Sequence, residues 1–100
     1  MIHHIILWKI KEGKTSEERD CIKRAVKEQL EDLQKVIPGI ERIKVQIESL
    51  DSSTADIMLD SVFTNEESLK AYSVNPHHVK VADECVRPNM ELRLCLDFED

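Results

Sequence analysis

The chain has 100 residues, 41% hydrophobic and 34% charged, with a formal net charge of −6 and a pI near 5.2. That length suits a single domain over residues 1–100, and no apolar run approaches the roughly 18 residues that would cross a bilayer, so no membrane association is expected. Because the chain is acidic and its Lys and Arg are dispersed, it is poorly suited to phosphate, and no nucleic-acid partner is expected. The first ten residues alternate and then run into charge, without a basic and apolar leader pattern, which predicts a cytoplasmic protein. Cys21, Cys85 and Cys95 are too widely spaced for a disulfide framework or a zinc motif, so cysteine is expected to carry no function.

Ile2–Ile10 has period two. His4, Ile6, Trp8 and Ile10 fall on one face, and His3, Ile5, Leu7 and Lys9 on the other. A strand apolar on both faces needs cover on both. Gly13 breaks the alternation, and Thr15 followed by Glu18 reads as a capping box that opens a helix. Ile22, Ala25, Val26, Leu30, Leu33 and Ile37 then form one apolar stripe, which Pro38-Gly39 terminates. Residues 40–48 alternate as a strand with Ile43, Val45 and Ile47 on one face. The Ser- and Asp-rich residues 50–54 lead into a further strand, 56–63. There Ile57, Leu59 and Phe63 share a face with Ser61, while Met58 and Val62 share the other with Asp56 and Asp60.

Thr64 and Glu67 predict a second capping box, opening a short helix with Leu69 and Tyr72 on its inner side. Asn75-Pro76 restarts the helix, with Asn75 as N-cap and Pro76 at the first helical position, and Arg87-Pro88 ends it. Residues 90–98 close the chain as a strand with Met90, Leu92, Leu94, Leu96 and Phe98 on one side.

The order β-α-β-β-α(α)-β predicts an α+β, ferredoxin-like fold, with a four-stranded antiparallel sheet carrying its helices on one face. With these elements assigned, no residues of the sequence are expected to cover the other face. Ile5, Leu7, Met58 and Val62 are therefore expected to meet a second copy, most simply in a symmetric homodimer.

Residues 71–80, AYSVNPHHVK, are the most unusual stretch. A helix from Pro76 puts His78 on one stripe with Ala82 and Cys85, and turns His77 toward solvent. Tyr72 and His78 near one another could serve as hydrogen-bond donor and general base. They could also be amphipathic core residues, each satisfied by one backbone partner, which is the simpler account of the residue types alone. His3 and His4 point to opposite faces and cannot readily share an ion, so no metal site is expected. Gly13 and Gly39 do not make a phosphate loop, so no nucleotide cofactor is expected, and the reading carries no cofactor at all.

The segments MIHHIILWKIKE, VIPGI (36–40), SLKAYSVNPHHVKVAD (68–83) and the closing LDFED resemble the stress-responsive alpha/beta barrel (Dabb) domain over essentially the whole chain. The resemblance implies a ferredoxin-like homodimer whose two sheets pack into a dimeric alpha/beta barrel. Most members of the family have no assigned reaction. One branch that resembles this chain includes a plant polyketide cyclase working by cofactor-free aldol chemistry. In it a tyrosine and a histidine matching Tyr72 and His78 line a pocket between sheet and helices, together with a histidine matching His4. This chain has Ile57 and Asn75 where that cyclase has histidines.

The resulting expectation is a homodimer binding a small organic ligand in a pocket lined by His4, Ile6, Trp8, Ile57, Leu59, Tyr72 and His78. The alternative is a cofactor-independent cyclase or isomerase using Tyr72 and His78. A purely structural dimer with no pocket function is a third reading. The binding reading predicts an enclosed cavity touching Tyr72 and His78, and would fail if Trp8 and Met90 filled that space. Whether the protein is an enzyme stays open at this level.

Overall fold

In the computed structural model, which describes residues 1–100, the elements follow the order read from the sequence. They are β1 (Ile2–Ile10), α1 (Ser16–Asp32), β2 (Ile40–Gln46), β3 (Ile57–Phe63), α2 (Glu66–Val74), α3 (Pro76–Val81) and β4 (Met90–Glu99). Each helical crossover skips one strand position, so the sheet runs β2-β3-β1-β4 with every neighbouring pair antiparallel. This is the ferredoxin-like arrangement.

The Thr15 capping box forms as expected. Its hydroxyl accepts from the Glu18 N–H at 3.1 Å, and the Glu18 carboxylate accepts from the Thr15 N–H at 2.9 Å. Val26 and Leu30 of α1 then pack on the inner sheet face against Ile6, Val45 and Leu59 as parts of one core cluster. The polar flank of α1 also works. At the β2 edge, Lys27 donates to the Val45 carbonyl at 2.8 Å and Glu31 accepts from the Val45 N–H at 2.9 Å, so backbone groups of an edge strand are satisfied. Gly39 turns the chain into β2 at a φ of 88°, and a Cβ there would lie 2.6 Å from the Ser68 hydroxyl. Only glycine meets both conditions without strain.

Three details differ from the sequence reading. The N-cap of α2 is Asn65, whose side chain accepts from the Ser68 N–H at 2.8 Å, so the helix opens one residue later than the expected Thr64/Glu67 box. Thr64 instead bonds Glu41 at 2.7 Å, which ties it to β2. In β4 the pairing slips between Lys9 and Ile10: Leu92 faces Lys9, but Met90 faces Ile10. The extra residue, Glu91, is a bulge that turns Met90 onto the helix-covered face, away from Leu92, Leu94, Leu96 and Phe98. Finally, Val62 lies on the open face between His3 and Arg42 but is only 8% exposed, so its own chain already covers it.

The open face is divided. Toward β2 it carries Arg42, Lys44 and Gln46, with Arg42 held to Asp60 in a two-bond ion pair at 2.9 and 3.0 Å. Toward β4 it carries Leu7 paired with Leu94, Ile5 with Leu96, and His3 stacked on Phe98 at 4.7 Å. Leu94, Leu96 and Phe98 are 56%, 62% and 42% exposed. Contiguous apolar strips of that kind are uncommon on the free surface of a monomeric protein.

Candidate functional site

The site is built by the break between α2 and α3. Asn75 leaves the helical region at φ −64°, ψ 131°, and its side chain accepts from the His77 N–H at 2.9 Å. The last carbonyls of α2 therefore lack the partners a continuing helix would supply. One of them, Ser73 C=O, accepts from the Nδ1–H of His78 at 3.2 Å. A carbonyl can only accept, so the proton sits on Nδ1, and Nε2 is left with its lone pair. Burial holds His78 below its ordinary pKa, overriding the Ser73 bond; the charges of Arg87, His4 and Arg93 push the same way. His78 is thus a neutral base at physiological pH.

Tyr72 packs beside it with the two rings tilted by 36° and their centroids 4.2 Å apart, and it also packs on Phe63 at 4.9 Å and His4 at 6.3 Å. It is 1% exposed, and its hydroxyl is the one buried side-chain polar atom in the chain without a hydrogen-bond partner. An unmatched buried hydroxyl costs about 1–3 kcal/mol, and such groups ask for an explanation. Burial also raises the phenol well above its ordinary pKa, so it stays a donor. His4, across the cavity, is held by Asp97 of β4. The two are directly opposed in the strand register, and the carboxylate accepts from His4 Nδ1.

These groups surround a cavity of about 490 Å³ between the sheet and the helices. Its floor is His4, Ile6, Trp8 and Leu59, and its roof is Leu30, Tyr72, His78 and Ala82. Val86, Arg87 and the start of β4, from Met90 to Arg93, complete the wall. Residues 82–86 widen into a single π-helical turn, a feature common at functional sites, and it carries Ala82 and Val86 to the wall.

A family model for the stress-responsive A/B barrel domain (Dabb) matches residues 2–100. The chain belongs to the Dabb family. Among solved structures, a dimeric protein of unknown function from Bacteroides fragilis is similar over 99% of this chain and 95% of its own, at 31% identity and a TM-score of 0.92. A Dabb protein from Mesorhizobium loti is similar over 99% and 95% at 18% identity and a TM-score of 0.77. A hydroxynitrile lyase from Passiflora edulis is similar over 97% and 90% at 17% identity and a TM-score of 0.75, a likeness of fold. No curated protein matches the chain.

On this Dabb scaffold, six of the seven residues singled out from sequence converge: His4, Ile6, Trp8, Leu59, Tyr72 and His78 all line the cavity. Ile57 does not. It is buried on the same face but packs in the core, outside the cavity wall. Trp8 and Met90 bound the space rather than fill it. Three groups went unforeseen: Arg87, Arg93 and the His4–Asp97 pair. Asp97 and Arg93 are set by the β1/β4 register, which alternation alone does not specify. The sequence argument against a metal considered His3 with His4, which do lie on opposite faces. His4, Cys95 and Asp97 instead bring three ligand-type atoms within 4.8 Å of one another. In that cluster Asp97 is already engaged by His4, and the Cys95 thiol is held up in pKa by burial and by Asp97.

Proposed function

We propose that this Dabb protein acts as a homodimer that binds a small organic ligand in the cavity under its helices. The observation that carries the reading is the buried, unpartnered hydroxyl of Tyr72, a residue of the cavity wall whose ring lies 4.2 Å from that of His78. A ligand oxygen accepting from Tyr72 would relieve the cost of that buried donor, and the apolar floor of Ile6, Trp8 and Leu59 suits a carbon skeleton. Titrating a set of small carbonyl compounds and organic acids into isotopically labelled protein tests this. Amide shifts should cluster at Trp8, Tyr72 and His78; a set that shifts none of them would refute the binding reading.

The partner copy would sit on the apolar strip of the open face. Ile5, Leu7 and Met58 belong to it as the sequence suggested, with Leu94, Leu96 and Phe98 added and Val62 removed. The dimeric state described for the Bacteroides fragilis relative supports this assembly. Free Cys21 and Cys95, both exposed, suit a reducing compartment such as the cytoplasm.

A second reading is a cofactor-independent cyclase-like, isomerase-like or lyase-like enzyme. It rests on the protonation pattern: His78 is a neutral base and Tyr72 a neutral donor, which would let one take a proton while the other supports charge developing on a carbonyl oxygen. The fold shared with a hydroxynitrile lyase is compatible with it. It predicts that His78→Ala and Tyr72→Phe both abolish turnover while the dimer stays folded.

A further inference from the structure

The β4 wall of the cavity carries an arginine that forms no ion pair. Arg93 stands opposite Trp8 in the β1/β4 register, so both side chains are on the cavity face. The other arginine at the cavity, Arg87, is tied to Asp83. Arg19 and Arg42 are tied to Asp56 and Asp60. Arg93 takes part in no ion pair. In a chain with a net charge of −6, an arginine without an ion pair at this cavity is a feature the overall charge would not supply. Arg93 lines the same cavity as Tyr72, whose buried hydroxyl is unpartnered, and His78.

We infer that Arg93 is the anchor for a carboxylate, and that the cavity's ligand is a small organic acid with an apolar body. A guanidinium presents parallel N–H donors that match the two oxygens of a carboxylate, and the cavity's other guanidinium, Arg87, is already tied to Asp83. The acid's carbon chain would lie over Ile6, Trp8 and Leu59, and a second oxygen could accept from Tyr72. Glu91, on the same rim and also outside any ion pair, opposes an anion there. The inference therefore requires the direct guanidinium contact to outweigh that repulsion.

The inference rests on the ligand-binding reading, and one experiment separates the two. Trp8 is the only tryptophan and lines the cavity, so its fluorescence reports occupancy. Octanoate and octan-1-ol share an apolar chain and differ at the head. The full-length protein should bind octanoate roughly tenfold more tightly, the scale of a charge-assisted hydrogen bond at a partly wet site. Arg93→Gln should bring the two ligands within about twofold, with octan-1-ol binding retained as the check on folding. Arg42→Gln, which makes the same change in net charge on the open face, should keep the tenfold preference. Equal binding of the two probes by the unaltered protein, or a preference that survives Arg93→Gln, overturns the carboxylate anchor and leaves the cavity reading standing. Failure of both probes to alter Trp8 overturns both.

Discussion

The Nδ1–H of His78 is bonded to the Ser73 carbonyl because Asn75 and Pro76 end one helix and begin another between them. A helix break thus chooses the tautomer of the histidine that faces the cavity. Replacing Asn75 by Ala removes the acceptor of the His77 N–H and should cost about 1 kcal/mol, the usual worth of an N-cap, in urea unfolding. If the break is what orients His78, its side-chain NMR signals should broaden or shift in the same variant.

Tyr72→Phe should leave stability unchanged or raise it by about 1 kcal/mol, because the substitution removes a buried hydroxyl that has no partner. Tyr72→Ala, which also removes the ring packed on Phe63 and His78, should cost about 3–5 kcal/mol. Chemical denaturation distinguishes the two. Marked loss of stability on Tyr72→Phe would mean that the hydroxyl has a structural partner.

His78 makes stability depend on pH with a definite sign. Its folded pKa lies below the ordinary 6.5, mainly through burial, so the unfolded chain binds the proton more readily. Its contribution is intact above 6.5 and declines as pH falls from there toward the lower folded value. Unfolding free energy should therefore drop as pH falls below 6.5. His78→Gln should flatten that part of the curve. Asp100, whose pKa His3 lowers through a hydrogen bond, loses its contribution only at more acid pH, below its ordinary 3.8.

Leu94→Glu should convert the dimer to monomer or cause aggregation in sedimentation velocity, since Leu94 is exposed opposite Leu7 in the middle of the apolar strip. Lys44→Glu, on the polar half of the same face, should leave the mass unchanged. A dimer indifferent to Leu94→Glu would place the contact elsewhere.

Gly39→Ala should destabilise by about 2 kcal/mol or more, combining a left-handed backbone with a contact against Ser68. The effect is on folding, so thermal melting rather than ligand binding should report it.

Much of the fold was legible because its signals are local. The Thr15 box, the period of β1 and the Asn75-Pro76 junction each depend on residues within a few positions of one another. The Asn65 cap was missed because Thr, Asn and Glu in succession offer two overlapping N-cap registers, and the bond from Thr64 to Glu41, distant in sequence, selects between them. The same division runs through the site. Tyr72 and His78 share one short segment and were found. Arg93 and Asp97 reach the cavity and His4 through strand pairing across more than eighty positions, and a one-residue bulge at Glu91 decides which β4 side chains face inward. Ile57 was placed on the correct face, but facing inward does not say how far along the sheet the cavity extends.

The last strand has one neighbour, β1, and nearly all of its side chains lie in solvent. It also supplies the cavity wall from Met90 to Arg93. A strand so lightly held in a lone chain would be the first to fray, with the fastest amide exchange in the sheet. Association over Leu94, Leu96 and Phe98 would hold it in place. Assembly and recognition are then thermodynamically linked: dilution should weaken ligand affinity, and ligand should lower the protein concentration at which two chains associate.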